Sequence, residues 1–216
     1  MRADASLRQV QPPRTLVLLL VAGPPLLLAA LGLAHPSSLT DDTADAWKNL
    51  HIVLLPIFPL LALAPWLLTR GEHRAVRWAA IALGYTFAAF YTALDVLAGI
   101  GAGALQQAGA VDQKRFLYAE GNDLAEYGVW AYLLATVLTA AVGLRRARLA
   151  AVPGAILVVA GAIAFLDSHI YWPRGGLTMV VLGIGWAALA TAAVDNRSEA
   201  TPHETAPGQS PVRTGG

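Results

Sequence analysis

Three observations predict an all-α, polytopic membrane protein, built as a bundle of six transmembrane helices with both termini cytoplasmic. Six apolar stretches have helical length, charge is scarce, and Lys and Arg fall almost entirely in every second loop. Of the 216 residues, 56% are hydrophobic and only 13% charged, against about 25% in an ordinary soluble domain. Mean hydropathy is +0.53. Lipid is the solvent that suits such a chain.

A membrane-crossing helix needs about 20 mainly apolar residues. The predicted spans are 15–34, 49–68, 76–100, 122–144, 150–166 and 177–194. They form a transmembrane domain of 15–195 between a cytoplasmic N-terminal tail, 1–14, and a cytoplasmic tail, 196–216. That last tail is rich in Pro, Gly, Ser, Thr and Glu, has almost nothing apolar to bury, and is predicted to be disordered. Orientation follows from the excess of Lys and Arg in cytoplasmic loops. Arg2, Arg8, Arg14, Arg70, Arg74, Arg77, Arg145, Arg146, Arg148, Arg197 and Arg213 fall on one side. Lys48, Lys114, Arg115 and Arg174 fall on the other, beside Asp41, Asp42, Asp45, Asp112 and Glu120. Trp47 and Trp172 suit an outer aromatic belt, Trp66 and Trp78 an inner one. The first span also has the basic start and small-residue triplet of a secretory signal. Its length and the Pro24–Pro25 interruption favour a retained helix. Arg dominates over Lys and Ala is abundant, which suits a GC-rich bacterial genome and hence a plasma membrane.

Composition also excludes function classes. Without cysteine there is no disulfide, thiolate metal site, iron–sulfur cluster or thiol nucleophile. A formal charge of +1 and the lack of a long basic run leave no footprint for nucleic acid. The expected partners are the lipid bilayer and a membrane protein or second copy of the chain.

Ionisable residues are distributed unevenly with depth. The inner halves of the spans (60–68, 78–88, 134–144 and 151–159) hold nothing more polar than Thr86, Thr136, Thr139 and Tyr85. The outer ends carry His35, His51, Asp95, Glu120, Asp123, Glu126, Asp167 and His169. At 1.5 Å of rise per residue, Asp95 and Glu126 lie about 6–8 Å below the outer boundary. Ionisable groups inside a membrane face the bundle interior or a wet cavity and mark function by default. Phe87, Tyr91 and Asp95 recur every four residues on one face of the third span. The predicted outward-opening pocket comprises His51, Tyr91, Asp95, Asp123, Glu126, Asp167, His169 and Arg174.

Histidines at one rim with acids nearby are the raw material of an open zinc site. No local His pair fixes two ligands on one helix. His51 and His169 are the candidate ligands of a metal ion or a haem, and His35, next to Pro36, reads as a cap or loop residue. Pro56, Pro59 and Pro65 break hydrogen bonds in the second span, so a kink is expected one turn below His51. Gly99, Gly101 and Gly103 read as a flexible exit from the third span, or as a close helix contact. Arg174, in the loop 171–176, is expected to bind an anionic group or to neutralise Asp167. Three functional readings stay open. The first is a binding or accessory protein whose pocket takes a partner or small ligand, the second a metal- or haem-dependent membrane enzyme, and the third a proton-coupled transporter.

Overall fold

The computed structural model describes residues 13–199. These form helices joined by short turns, with no strand among the described residues. The helices are α1 (Arg14–Gly32), α2 (Ala44–Leu54), α3 (Leu63–Leu68), α4 (Arg74–Leu94), α5 (Ala102–Gln107), α6 (Lys114–Ala147), α7 (Val152–Phe165) and α8 (Arg174–Glu199). Because α8 runs to Glu199, the tail expected to be disordered from 196 starts helical, and its remainder lies outside the described residues. The N-terminal tail, 1–14, also lies almost wholly outside them.

Five stretches are long and apolar enough to cross a membrane: Arg14–Gly32, Ala44–Leu68, Arg74–Gln107, Val111–Phe165 and Arg174–Ala193. Six spans were expected, and the difference arises at one turn. The fourth stretch is 55 residues long, but it is not a single rod. A 3₁₀ turn, Arg148–Ala151, interrupts it, with Arg148 at a φ of 47°. Beyond it α7 packs back against α6. The turn falls between the predicted spans 122–144 and 150–166, and α7 has only 14 residues.

The second span breaks where its prolines predict. α2 ends at Leu54, a 3₁₀ segment carries Phe58–Ala62, and α3 resumes the path. Pro56 and Pro59 lack the N–H that would continue the ladder. The break turns Phe58 fully into the core.

The third span behaves differently from the expected flexible exit. Helix persists from Arg74 to Gln107, with a π-helical segment at Asp95–Gly101 between α4 and α5. Gly99 and Gly103 are contact points with α2, while Gly101 faces Leu117 of α6. A methyl group at Gly99 would fall inside the His51 ring, and one at Gly103 would stand 2.9 Å from the Lys48 Cβ. The close-contact reading therefore holds and the exit reading fails.

Between apolar helices in lipid, close approach of backbones replaces the hydrophobic drive. α6 packs on α4 and the π-helical segment through small buried residues: Gly128 meets Phe87 and Tyr91, and Gly121 meets Leu97 and Ala98. Phe87, Tyr132, Phe165 and Trp186 fill the centre of the bundle. The Trp186 indole N–H donates to the Tyr132 hydroxyl at 3.1 Å, so the two largest fully buried rings leave that donor satisfied.

The two ends of the bundle carry different chemistry. One, here the arginine end, has Glu72 paired with Arg145 and Arg146. The other, the histidine end, gathers the turns after α1 and α7 around the end of α2.

Candidate metal centre

Each histidine is delivered by a different element. His51 sits in the last turn of α2, against the surface left open by Gly99. His35 lies in the turn that follows α1. There its N–H bonds to the Gly32 carbonyl at 3.1 Å, and Pro36 prevents the helix from continuing. His169 belongs to the loop between α7 and α8. That loop folds back because the Gly175 N–H donates to the Tyr171 carbonyl at 2.7 Å. A side chain at Gly175 would strike the His169 carbonyl. The Trp172 indole N–H then ties the loop to α1 through the Ala29 carbonyl, 2.8 Å away.

The result is a cluster that local spacing does not announce. Ring centroids stand 5.1 Å apart for His35 and His51, 5.5 Å for His35 and His169, and 5.8 Å for His51 and His169. One ring nitrogen from each histidine falls in a set whose members lie within 4.8 Å of one another. The Nδ1 atoms are already occupied. His35 Nδ1 meets the Pro36 carbonyl, His51 Nδ1 the Trp47 carbonyl and His169 Nδ1 the Tyr91 hydroxyl, each at 2.8 Å. Carbonyls only accept, so Nδ1 of His35 and of His51 carries the proton and Nε2 keeps its lone pair. The Nε2 atoms of His35 and His169 are buried without a partner. Burial holds the His35 imidazole below its ordinary pKa, against the pull of the Pro36 carbonyl. It holds His169 well below, with His51 and His35 adding to the effect. Both rings are therefore neutral, the state in which imidazole binds a metal. Trp47, Phe58 and Tyr171 close the cluster with aromatic faces. Burial likewise raises the Tyr171 phenol, helped by nearby Tyr118 and Asp95.

Three imidazoles whose Nδ1 atoms are each held by an oxygen are a donor set for a first-row divalent cation, zinc above all. Around a tetrahedral zinc the nitrogens stand about 3.3 Å apart, so the rings would draw together by side-chain rotation. Haem does not fit. His35 is almost equidistant from His51 and His169, which puts its ring close to the plane a porphyrin between them would occupy.

Asp95 lies at the start of the π-helical segment, fully buried, with neither carboxylate oxygen hydrogen-bonded. It stands one turn from Tyr91, which holds His169, and one turn from Gly99, which seats His51. Single-turn π segments often occur at functional sites. An enclosed carboxyl group without donors is costly, so its retention here asks for a chemical reason.

Tyr91 and His169 also form the inner wall of a cleft of about 610 Å³ between α4, α6 and the α7–α8 loop. Glu126, Asp167 and Arg174 stand on its polar side, Val129, Trp130 and Phe165 on its apolar side. Arg174 donates through Nη2 to both oxygens of Asp167, at 2.6 and 2.5 Å, so the neutralising role expected for it is observed.

Of the residues predicted to share a pocket, His51 and Tyr91 each meet His169. Asp95 lies beside them, and Glu126, Asp167 and Arg174 border the adjoining cleft. Asp123 is exposed on α6 and does not line it. His35, read from sequence as a cap or loop residue, is in the turn as expected but is also the third member of the cluster. Trp47 and Tyr171 enclose it, and nothing in their spacing marks them as site residues. Compared with protein-family models, with curated proteins and with solved structures, the chain matches none.

Proposed function

We propose that this chain is a six-span protein of a bacterial plasma membrane, with both termini cytoplasmic and a divalent transition-metal centre at its outer end. His35, His51 and His169 are its ligands. The observation that carries this reading is the convergence of three imidazoles whose Nδ1 atoms are engaged and whose remaining nitrogens are not, two of them buried without partners. Zinc is the first choice, because neutral imidazole suits it and the site has no thiolate.

Three protein ligands leave a coordination position open, the pattern of catalytic rather than structural zinc. Metal-assisted hydrolysis is the reaction class that follows, since a divalent ion held by these three histidines would supply Lewis-acid activation of water. Asp95 is the carboxyl group at hand to accept and return a proton, and Tyr91 orients His169. A ligand-binding role without chemistry is the second reading, and the cleft beside His169 is what favours it.

Metal analysis of the purified chain tests the reading. The parent is expected to carry about one zinc per chain after dialysis against trace metal, and His51→Ala and His169→Ala none, with all three eluting as the same species on size exclusion. A parent that retains no stoichiometric metal contradicts it.

A further inference from the structure

The cleft is more than an antechamber to the histidines, because its chemistry is graded along the helices. On α6 the lining runs from Asn122 and Glu126, near the histidine end, to Val129 and Trp130 deeper in the bundle. Asn122 to Trp130 covers about 12 Å at 1.5 Å per residue. On the α7 side it runs the same way, from Phe165 at depth to Asp167 and Arg174 at the rim. Trp130 is 48% exposed on the flank of the helix, so the apolar half opens sideways, where the surrounding solvent is lipid. A polar rim over an apolar, laterally open floor fits a molecule lying head-out and tail-in. A volume of about 610 Å³ is of ligand size.

The rim also discriminates between heads. Arg174 spends only Nη2 on Asp167, so Nη1 and Nε still present donors to a phosphate. Glu126 is exposed on the facing helix and in no salt bridge among the described residues, which suits it to an ammonium group. Counting Asp167, the rim carries two acids and one base, which disfavours a head that is only anionic.

We infer that this cleft binds one zwitterionic phospholipid-type amphiphile, its chain against Val129 and Phe165 and its head between Arg174 and Glu126 beside His169. Occupancy of the cleft stands without the metal. That the head abuts a metal, and so is the part presented for reaction, rests on the function proposed above.

The test uses the full chain, purified in detergent and delipidated, and native mass spectrometry with lysophosphatidylethanolamine and lysophosphatidylglycerol of equal chain length. Saturable one-to-one binding of the ethanolamine lipid is expected, about tenfold tighter than that of the glycerol lipid. Glu126→Lys, an exposed change, is expected to reverse the preference. Ala125→Phe, which fills the floor, is expected to weaken both lipids about tenfold. If Ala125→Phe fails to fold, Glu126→Lys still decides. Equal binding of the two heads, or a preference untouched by Glu126→Lys, overturns the inference. His51→Ala separates the two proposals, since His51 does not line the cleft. Zinc lost with lipid selectivity kept is the expected result. A parent that selects lipid but binds no zinc removes the metal reading and leaves the cleft, and the converse removes the cleft alone.

Discussion

The two ends of this bundle treat buried polar atoms in opposite ways. At the arginine end Glu72 is largely enclosed and meets Arg145 and Arg146, the latter through Nε at 2.6 Å. Arg146 also donates to the Leu68 and Arg70 carbonyls at 2.9 and 3.0 Å. The buried Thr69 hydroxyl donates to Pro65, 2.7 Å away. At the histidine end the Nδ1 atoms are partnered, but other equally enclosed atoms are not. Of the five buried side-chain atoms without a hydrogen bond among the described residues, four belong to His35, His169 and Asp95. The same chain pairs the enclosed carboxylate and hydroxyl at the arginine end and leaves four enclosed atoms without partners at the histidine end, Thr136 Oγ1 in the core being the fifth. Burying an unpaired polar group costs about 1–3 kcal/mol, so a local concentration of them is more readily explained by a ligand than by packing.

Substitutions at the two ends sharpen that contrast. Gly99→Ala should have the largest effect. The methyl must displace the His51 ring, which is expected to cost about 1–3 kcal/mol of stability through overpacking and to weaken zinc about tenfold or more. Thermal melting and metal titration would report the two losses separately. Glu72→Gln comes next. It removes the carboxylate between Arg145 and Arg146 and is expected to lower stability by about 1–2 kcal/mol, less than a fully buried pair because Arg145 is largely exposed. Metal content should not change. Asp95→Asn should have the smallest effect on folding, within about 0.5 kcal/mol or slightly stabilising, because no hydrogen bond is lost. If Asp95 manages a proton for the site, this variant keeps its zinc and loses turnover. A large loss of stability from Asp95→Asn would show that the acid is a packing element, and the contrast between the ends would weaken.

Much of the fold was legible because its signals are local. Proline at 56 and 59 breaks a helix whatever surrounds it, and the break lies where the sequence puts it. Tyr91 and Asp95 share a face by helical spacing alone, and Tyr91 bonds His169 with Asp95 one turn further along. The turn between α6 and α7 was legible from Arg145, Arg146 and Arg148, although only five stretches pass as long apolar crossings. What the sequence hid depends on tertiary contacts. His35 joins the cluster because the 166–173 loop is pinned to α1 through Trp172 and Ala29, residues 143 positions apart. The Gly99–Gly103 segment looks like an exit by propensity, yet α2 packed against it keeps it helical. The Glu72 pairing with α6 spans 73 residues of sequence and has no local sign.

The central claim is that three imidazoles from three elements hold one metal ion. Zinc-edge X-ray absorption on the purified chain tests it most directly. The expected shell has three imidazole nitrogens and one further oxygen ligand at about 2.0–2.1 Å. A shell built only of carboxylate and water oxygens, or no bound zinc at all, would contradict it.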